Sequence, residues 1–156
     1  MTQSKIARAW LLLCFALAVH VADEALTGFL SVYNPTVHAL TQTVPWLPLP
    51  IFTFEVWITG LALAVAALLL LTPWIAQGGR GARPAAYLFA GLMLTNALGH
   101  TTGTIAGRTV ESIRFARPMP GFYSSPLLLA ASVLLLVRLR ASRVACARSR
   151  VSGKVV

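Results

Sequence analysis

The segment AVHVADEALTGFL, Ala18 to Leu30, places His20, Asp23 and Glu24 within five positions of an otherwise apolar run. Helical positions i, i+3 and i+4 share one face, so the three side chains project together. A charge at the centre of a lipid-facing helix costs roughly 2.5–3.5 kcal/mol, and something must offset it. A second patch, LTNALGH, puts Asn96 and His100 at i, i+4, and a third apolar run, IFTFEVW, carries Glu55. Two imidazoles with two or three carboxylates in a dry pocket form a donor set that suits zinc. They also contain the two-histidine-one-carboxylate pattern of non-haem iron. A divalent cation would neutralise the buried acids, with His20, Glu24 and His100 as the expected metal ligands. Asp23 and Glu55 are then a further ligand or the general acid and base, and Asn96 orients a ligand or substrate.

Other readings use the same residues. In one, Asp23 and Glu24 are acid and base in a metal-free isomerase or cyclase acting on a hydrophobic substrate. In another, the polar groups only hydrogen-bond their neighbours, each bond worth about 1 kcal/mol or less. A third makes them a carboxylate–histidine relay for protons or ions, without catalysis.

The elements that position these groups follow from composition. The 156 residues are 57% hydrophobic and 11% charged, against about 25% charged in a soluble domain; a membrane protein is expected. Apolar runs at about 9–31, 51–74, 85–107 and 122–137 predict an all-α, four-helix transmembrane bundle, since a span needs about 20 residues. Residues 1–140 then form one transmembrane domain and 141–156 a basic cytoplasmic tail. Four prolines (Pro35, Pro45, Pro48, Pro50) between the first two spans rule out one long helix there. That stretch is expected to lie along the interface, where Trp46 fits.

The net charge of +9 follows topology rather than nucleic acid. With the N-terminus inside, Lys5, Arg8, Arg80, Arg83 and six tail residues (Arg138, Arg140, Arg143, Arg148, Arg150, Lys154) are cytoplasmic, leaving Arg108, Arg114 and Arg117 outside. That bias gives an N-in, C-in orientation, in a plasma membrane of bacterial type, with membrane lipids as neighbours and self-association into a homo-oligomer left open. KIARAWLLLCFALAV has the form of a secretory signal, but His20 and Val21 stand where a cleavage site needs small residues. Cys14 and Cys146 form neither a disulfide framework nor a metal knuckle. His38 and Glu111 fall in outer loops and are expected to be solvated.

Depth supports convergence. His20 and Asn96 each lie eleven residues from their span's cytoplasmic end, roughly 16 Å, and Glu24 and His100 fifteen, roughly 22 Å. Glu55 enters near the outer surface, so all these groups fall in one layer of the outer half of the bilayer. The stripe Gly91, Thr95, Gly99, Gly103, Gly107 and the row Ala16, His20, Glu24, Gly28 are expected to pack span three on span one.

His20-Val-Ala-Asp23-Glu24 resembles the signature of the HXXEE family of small integral membrane proteins. Asn96-Ala-Leu-Gly-His100 resembles that family's Asn-x-x-x-His motif, and Pro120-Gly121 the end of its Tyr-x-Pro-Gly motif; order and spacing agree over roughly residues 20–137. Asp23 replaces the first Glu of the signature, and Pro118 stands where the family has Tyr, leaving Tyr123 as a substitute hydroxyl. The resemblance implies a metal-dependent membrane enzyme without a settled reaction, with His20, Glu24, Asn96 and His100 in its site. Taken with the residues, the expectation is a metal-dependent hydrolase or oxidoreductase acting on a lipid or other hydrophobic small molecule.

Overall fold

The computed structural model describes residues 2–79 and 81–152, with side chains over 3–79 and 81–143. Helix α1 runs Thr2–Thr27. Its inward stripe is Ile6, Trp10, Leu13, Leu17, His20 and Glu24, all buried and spaced three or four apart. It ends at Gly28, whose φ of +77° suits a residue without Cβ. Just beyond it the Phe29 N–H donates to the Glu24 carbonyl at 2.9 Å, the long bond of a Schellman-type end. The chain turns there into α2, Leu30–Thr43, which accommodates Pro35 internally and stops before Pro45. The segment expected to lack a long helix is therefore helical in its first part and irregular over 44–53.

Helices α3 (Phe54–Leu70) and α4 (Thr72–Gln77) form one apolar rod interrupted at Leu71. Helix α5 covers Ala82–Ala106, a short antiparallel pair follows in β1 (Arg108–Val110) and β2 (Ile113–Arg114), and α6 covers Ser125–Ser152. The hairpin had no alternating apolar pattern to announce it. Helix α6 starts three residues later than the fourth expected span and continues unbroken across 140–141, where the basic tail was expected to begin. Lys154 lies outside the described residues.

Helix α1 packs against α3 and α4 on one side and against α6 on the other, while α5 rests chiefly on α6. Arg83 at the start of α5 donates from Nη2 to the Ser142 hydroxyl of α6 at 2.8 Å. The indole N–H of Trp10 donates to the Leu68 carbonyl of α3 at 3.0 Å, and the Trp10 ring lies 4.9 Å from that of Phe89 on α5. Small buried residues of α6, among them Ser125, Ala131 and Ser132, admit its neighbours closely.

Among the described residues three helices are long and apolar enough to cross a membrane: Gln3–Thr27, Phe54–Gln77 and Ser125–Arg143. The chain is accordingly a mostly helical membrane protein. Helix α5 is long enough at 1.5 Å per residue, but six polar residues in its second half (Thr95, Asn96, His100, Thr101, Thr102, Thr104) dilute its hydropathy. The small-residue stripe does not pack on α1 as expected. Space above Gly91 and Gly99 is open, and Gly103 is approached by Met119 and Phe115. Close approach is supplied by α6 instead, which packs against both helices more extensively than they pack on each other.

Candidate metal centre

His20 and Glu24 reach the centre from the last turns of α1, and His100 from the second half of α5. All three are buried, at 0%, 5% and 2% exposure. Glu24 Oε1 lies 3.5 Å from His20 Nε2 and 3.1 Å from His100 Nε2. The two imidazole rings meet edge to face with centroids 4.7 Å apart. One ligand atom from each residue falls within 4.8 Å of the others. Two ligands held at 2.0–2.1 Å by a tetrahedral zinc stand about 3.3 Å apart, close to both histidine–glutamate separations.

The ring orientations are set by the segment before α6. Nδ1 of His100 lies 2.5 Å from the Pro120 carbonyl. A carbonyl only accepts, so Nδ1 carries a proton, and a ring with one proton then turns its Nε2 lone pair toward Glu24. On the other ring, His20 Nδ1 lies 2.8 Å from Ser124 Oγ. Ser124 donates its hydroxyl to Asp23 Oδ2 at 2.8 Å, and its backbone N–H reaches the same oxygen at 2.8 Å. With the hydroxyl proton spent on the carboxylate, Ser124 accepts from His20 Nδ1–H. A ring with that one proton likewise presents an Nε2 lone pair to the centre, and the atom is buried with no hydrogen-bond partner. Two lone pairs and a carboxylate facing one another repel unless a cation or proton lies among them. Outer carboxylate or carbonyl groups that fix the second nitrogen of a histidine are the usual support of a metal ligand.

Gly121 completes the bracket. Its φ is +83°, and a Cβ there would stand 2.8 Å from His100 Cε1 and 2.9 Å from Glu24 Cγ. Its N–H donates to Thr27 Oγ1 at 3.1 Å, tying the turn back to α1, and its carbonyl accepts from the Ser125 hydroxyl at 2.8 Å.

The remaining expected site residues are placed differently. Asp23 is half-buried, accepts from Ser124 through Oδ2 and lies outside the His20–Glu24–His100 group. Glu55 is exposed in the first turn of α3, where the positive end of the helix dipole favours a carboxylate, and it does not join the group. Asn96 is half-buried on the wall of a cavity of about 540 Å³ that reaches His100 and is capped by Phe29, whose ring lies 5.7 Å from that of His100. Tyr123, expected as a substitute hydroxyl, is 69% exposed; the hydroxyl beside His20 is that of Ser124. His38 and Glu111 are exposed, and Cys14 lies in the buried core. Ser124 and Thr27 carried no signal beyond their polarity, although the Pro120-Gly121 pair beside Ser124 marked the turn. No family model, no curated protein and no solved structure matches this chain.

Proposed function

We propose that the protein is a metal-dependent membrane enzyme acting on a lipid or other hydrophobic small molecule, a hydrolase or oxidoreductase by the chemistry of its donor set. The observation that carries the reading is the convergence of two buried Nε2 atoms, on rings held by the Pro120 carbonyl and by Asp23 through Ser124, on the Glu24 carboxylate. Structural zinc sites are closed by four protein ligands, whereas a three-ligand set leaves a position for substrate. Zinc and iron suit these donors. A divalent cation held there would act as a Lewis acid on a substrate oxygen or on water. Glu24 supplies the charge, the imidazoles complete the ligand set, and the cavity beside His100 gives an entry path. Asn96 on that wall is placed to orient a substrate.

The arrangement also fits a fourth span. Helix α5 runs alongside three membrane-crossing helices, with its polar second half turned partly to the centre. With Lys5, Arg8, Arg83, Arg138, Arg140 and Arg143 at the end opposite Arg108, Arg114 and Arg117, a four-helix transmembrane bundle with both termini inside follows from the positive-inside rule. The site then lies toward the outer face of a plasma membrane. The HXXEE-like order of motifs supports the same reading.

The second reading rests on the 3.1 Å separation of His100 and Glu24, which also suits a proton shared between imidazole and carboxylate in a metal-free acid–base catalyst. Metal analysis separates the two. Protein purified in neutral detergent without chelators is expected to hold about one equivalent of zinc or iron, lost in His20→Ala, Glu24→Gln and His100→Ala. A wild type that is metal-free and takes up no added Zn²⁺, Fe²⁺ or Mn²⁺ would leave the metal reading without support.

A further inference from the structure

Three arginines gather where the chain leaves α5. In the two-stranded pair Arg108 stands directly opposite Arg114, an arrangement of like charges that is destabilising by itself. Together with Arg117 they line a second cavity, of about 460 Å³. Among the described residues no carboxylate lies within ion-pair distance of any of the three; both ion pairs present join histidines to Glu24. Arg117 has a partial explanation, because its guanidinium lies against Gly107, the C-cap of α5, where the helix dipole favours a cation. No such explanation covers the juxtaposition of Arg108 and Arg114. The hairpin is anchored: Thr109 shares a 2.5 Å hydroxyl contact with Thr36 of α2, and the Phe115 N–H donates to the Gly107 carbonyl at 3.2 Å.

Arg108 also lines the cavity that reaches His100, so the two cavities adjoin at this residue. Along the cavity that reaches His100, α5 presents Thr95 and an open Gly99, while Met119 covers Gly103.

We propose that Arg108, Arg114 and Arg117 form an oxyanion site for the phosphate of an amphiphile whose apolar part lies along the Gly99–Thr95 face of α5, beside His100. Guanidinium forks match phosphate oxygens bidentately, and a bound phosphate relieves the repulsion between Arg108 and Arg114. The open Gly99 leaves room for a chain, with Met119 and Phe29 as apolar neighbours in the same lining. That this amphiphile is the substrate rests on the metal-centre reading above; that the arginines hold an oxyanion does not.

The test is titration calorimetry on the full chain in neutral detergent, with dihexanoyl phosphatidic acid, inorganic phosphate and dihexanoylglycerol as probes. The phosphatidic acid is expected to bind at one site, at least about tenfold more weakly in the Arg108→Gln, Arg114→Gln double variant, and more weakly as salt rises. The charge-retaining Arg108→Lys, Arg114→Lys variant is expected to recover part of the loss, which separates lost charge from lost folding. Binding of the phosphatidic acid well above that of inorganic phosphate identifies a lipid as the source of the oxyanion, and equal binding of the two identifies the free ion. His100→Ala is expected to keep anion binding while losing metal, so failure of either proposal is read independently. Equal binding by wild type and the double glutamine variant, or dihexanoylglycerol binding as tightly as phosphatidic acid, would overturn the assignment.

Discussion

Replacing Gly121 by alanine tests the centre through backbone geometry alone, because no ligand is removed. Two costs add. A non-glycine residue in the left-handed region, where Gly121 sits at φ +83°, costs about 1–2 kcal/mol. The new methyl would also stand 2.8 Å from His100 Cε1 and 2.9 Å from Glu24 Cγ, about 0.6–0.7 Å inside a comfortable carbon–carbon contact. Neither neighbour can retreat freely. His100 is bonded through Nδ1 to the carbonyl of Pro120, the residue before the substitution, and Glu24 is buried on a helix pinned to this same turn through Thr27. Overpacking of this kind costs about 1–3 kcal/mol, so the variant should lose about 2–5 kcal/mol in all. At about 2–4 °C per kcal/mol for a chain of this size, the melting temperature in detergent should fall by roughly 5–20 °C. Metal sites tolerate ligand displacements of about 0.2 Å, and metal affinity should fall by about 100-fold. Gly60→Ala is the matched control, since nothing lies within 4 Å of the added methyl, and it should melt at or slightly above the wild-type temperature. Thermal melts and metal content measured side by side decide the matter. A Gly121→Ala protein with full metal and an unchanged melting temperature would refute the geometry of the centre.

Ser124→Ala removes the hydroxyl between His20 and Asp23 and should weaken metal binding about 10–100-fold, measured by competition with a chromogenic chelator. Glu55→Gln alters an exposed group outside the centre and should leave metal content unchanged and stability within about 0.5 kcal/mol; loss of metal would restore Glu55 to the site. Stripping metal from the wild type with a strong chelator should lower the melting temperature by roughly 5–10 °C, the effect of a ligand held at about 100 times its dissociation constant. The same treatment should leave Glu24→Gln unmoved, as differential scanning fluorimetry in detergent would show.

What was legible in the sequence was whatever depends on helix period and on the expense of a charge in lipid. His20 and Glu24 share a face by spacing alone, and counting residues from the span ends put His100 at the level of Glu24. Glu55 misled because an apolar context says nothing about which way a first-turn residue points; on α3 it points outward. The glycine stripe misled for a related reason, since small residues permit close packing without naming the partner, and Ser125, Ala131 and Ser132 of α6 took that role. Ser124 was invisible because a serine beside a turn has no period, and its importance comes from a contact with residues about a hundred positions earlier. The hairpin 108–114 is too short for alternation to register.

That long separation bears on how the protein is made. His20 and its hydroxyl partner are 104 residues apart, which at ribosomal speeds of about 5–20 residues per second is a delay of roughly 5–20 s. During that interval α1 has emerged with its acid and imidazole exposed and the turn that braces them still unsynthesised. The bracing of His20 on the first helix is thus complete only once the turn before α6 has been made.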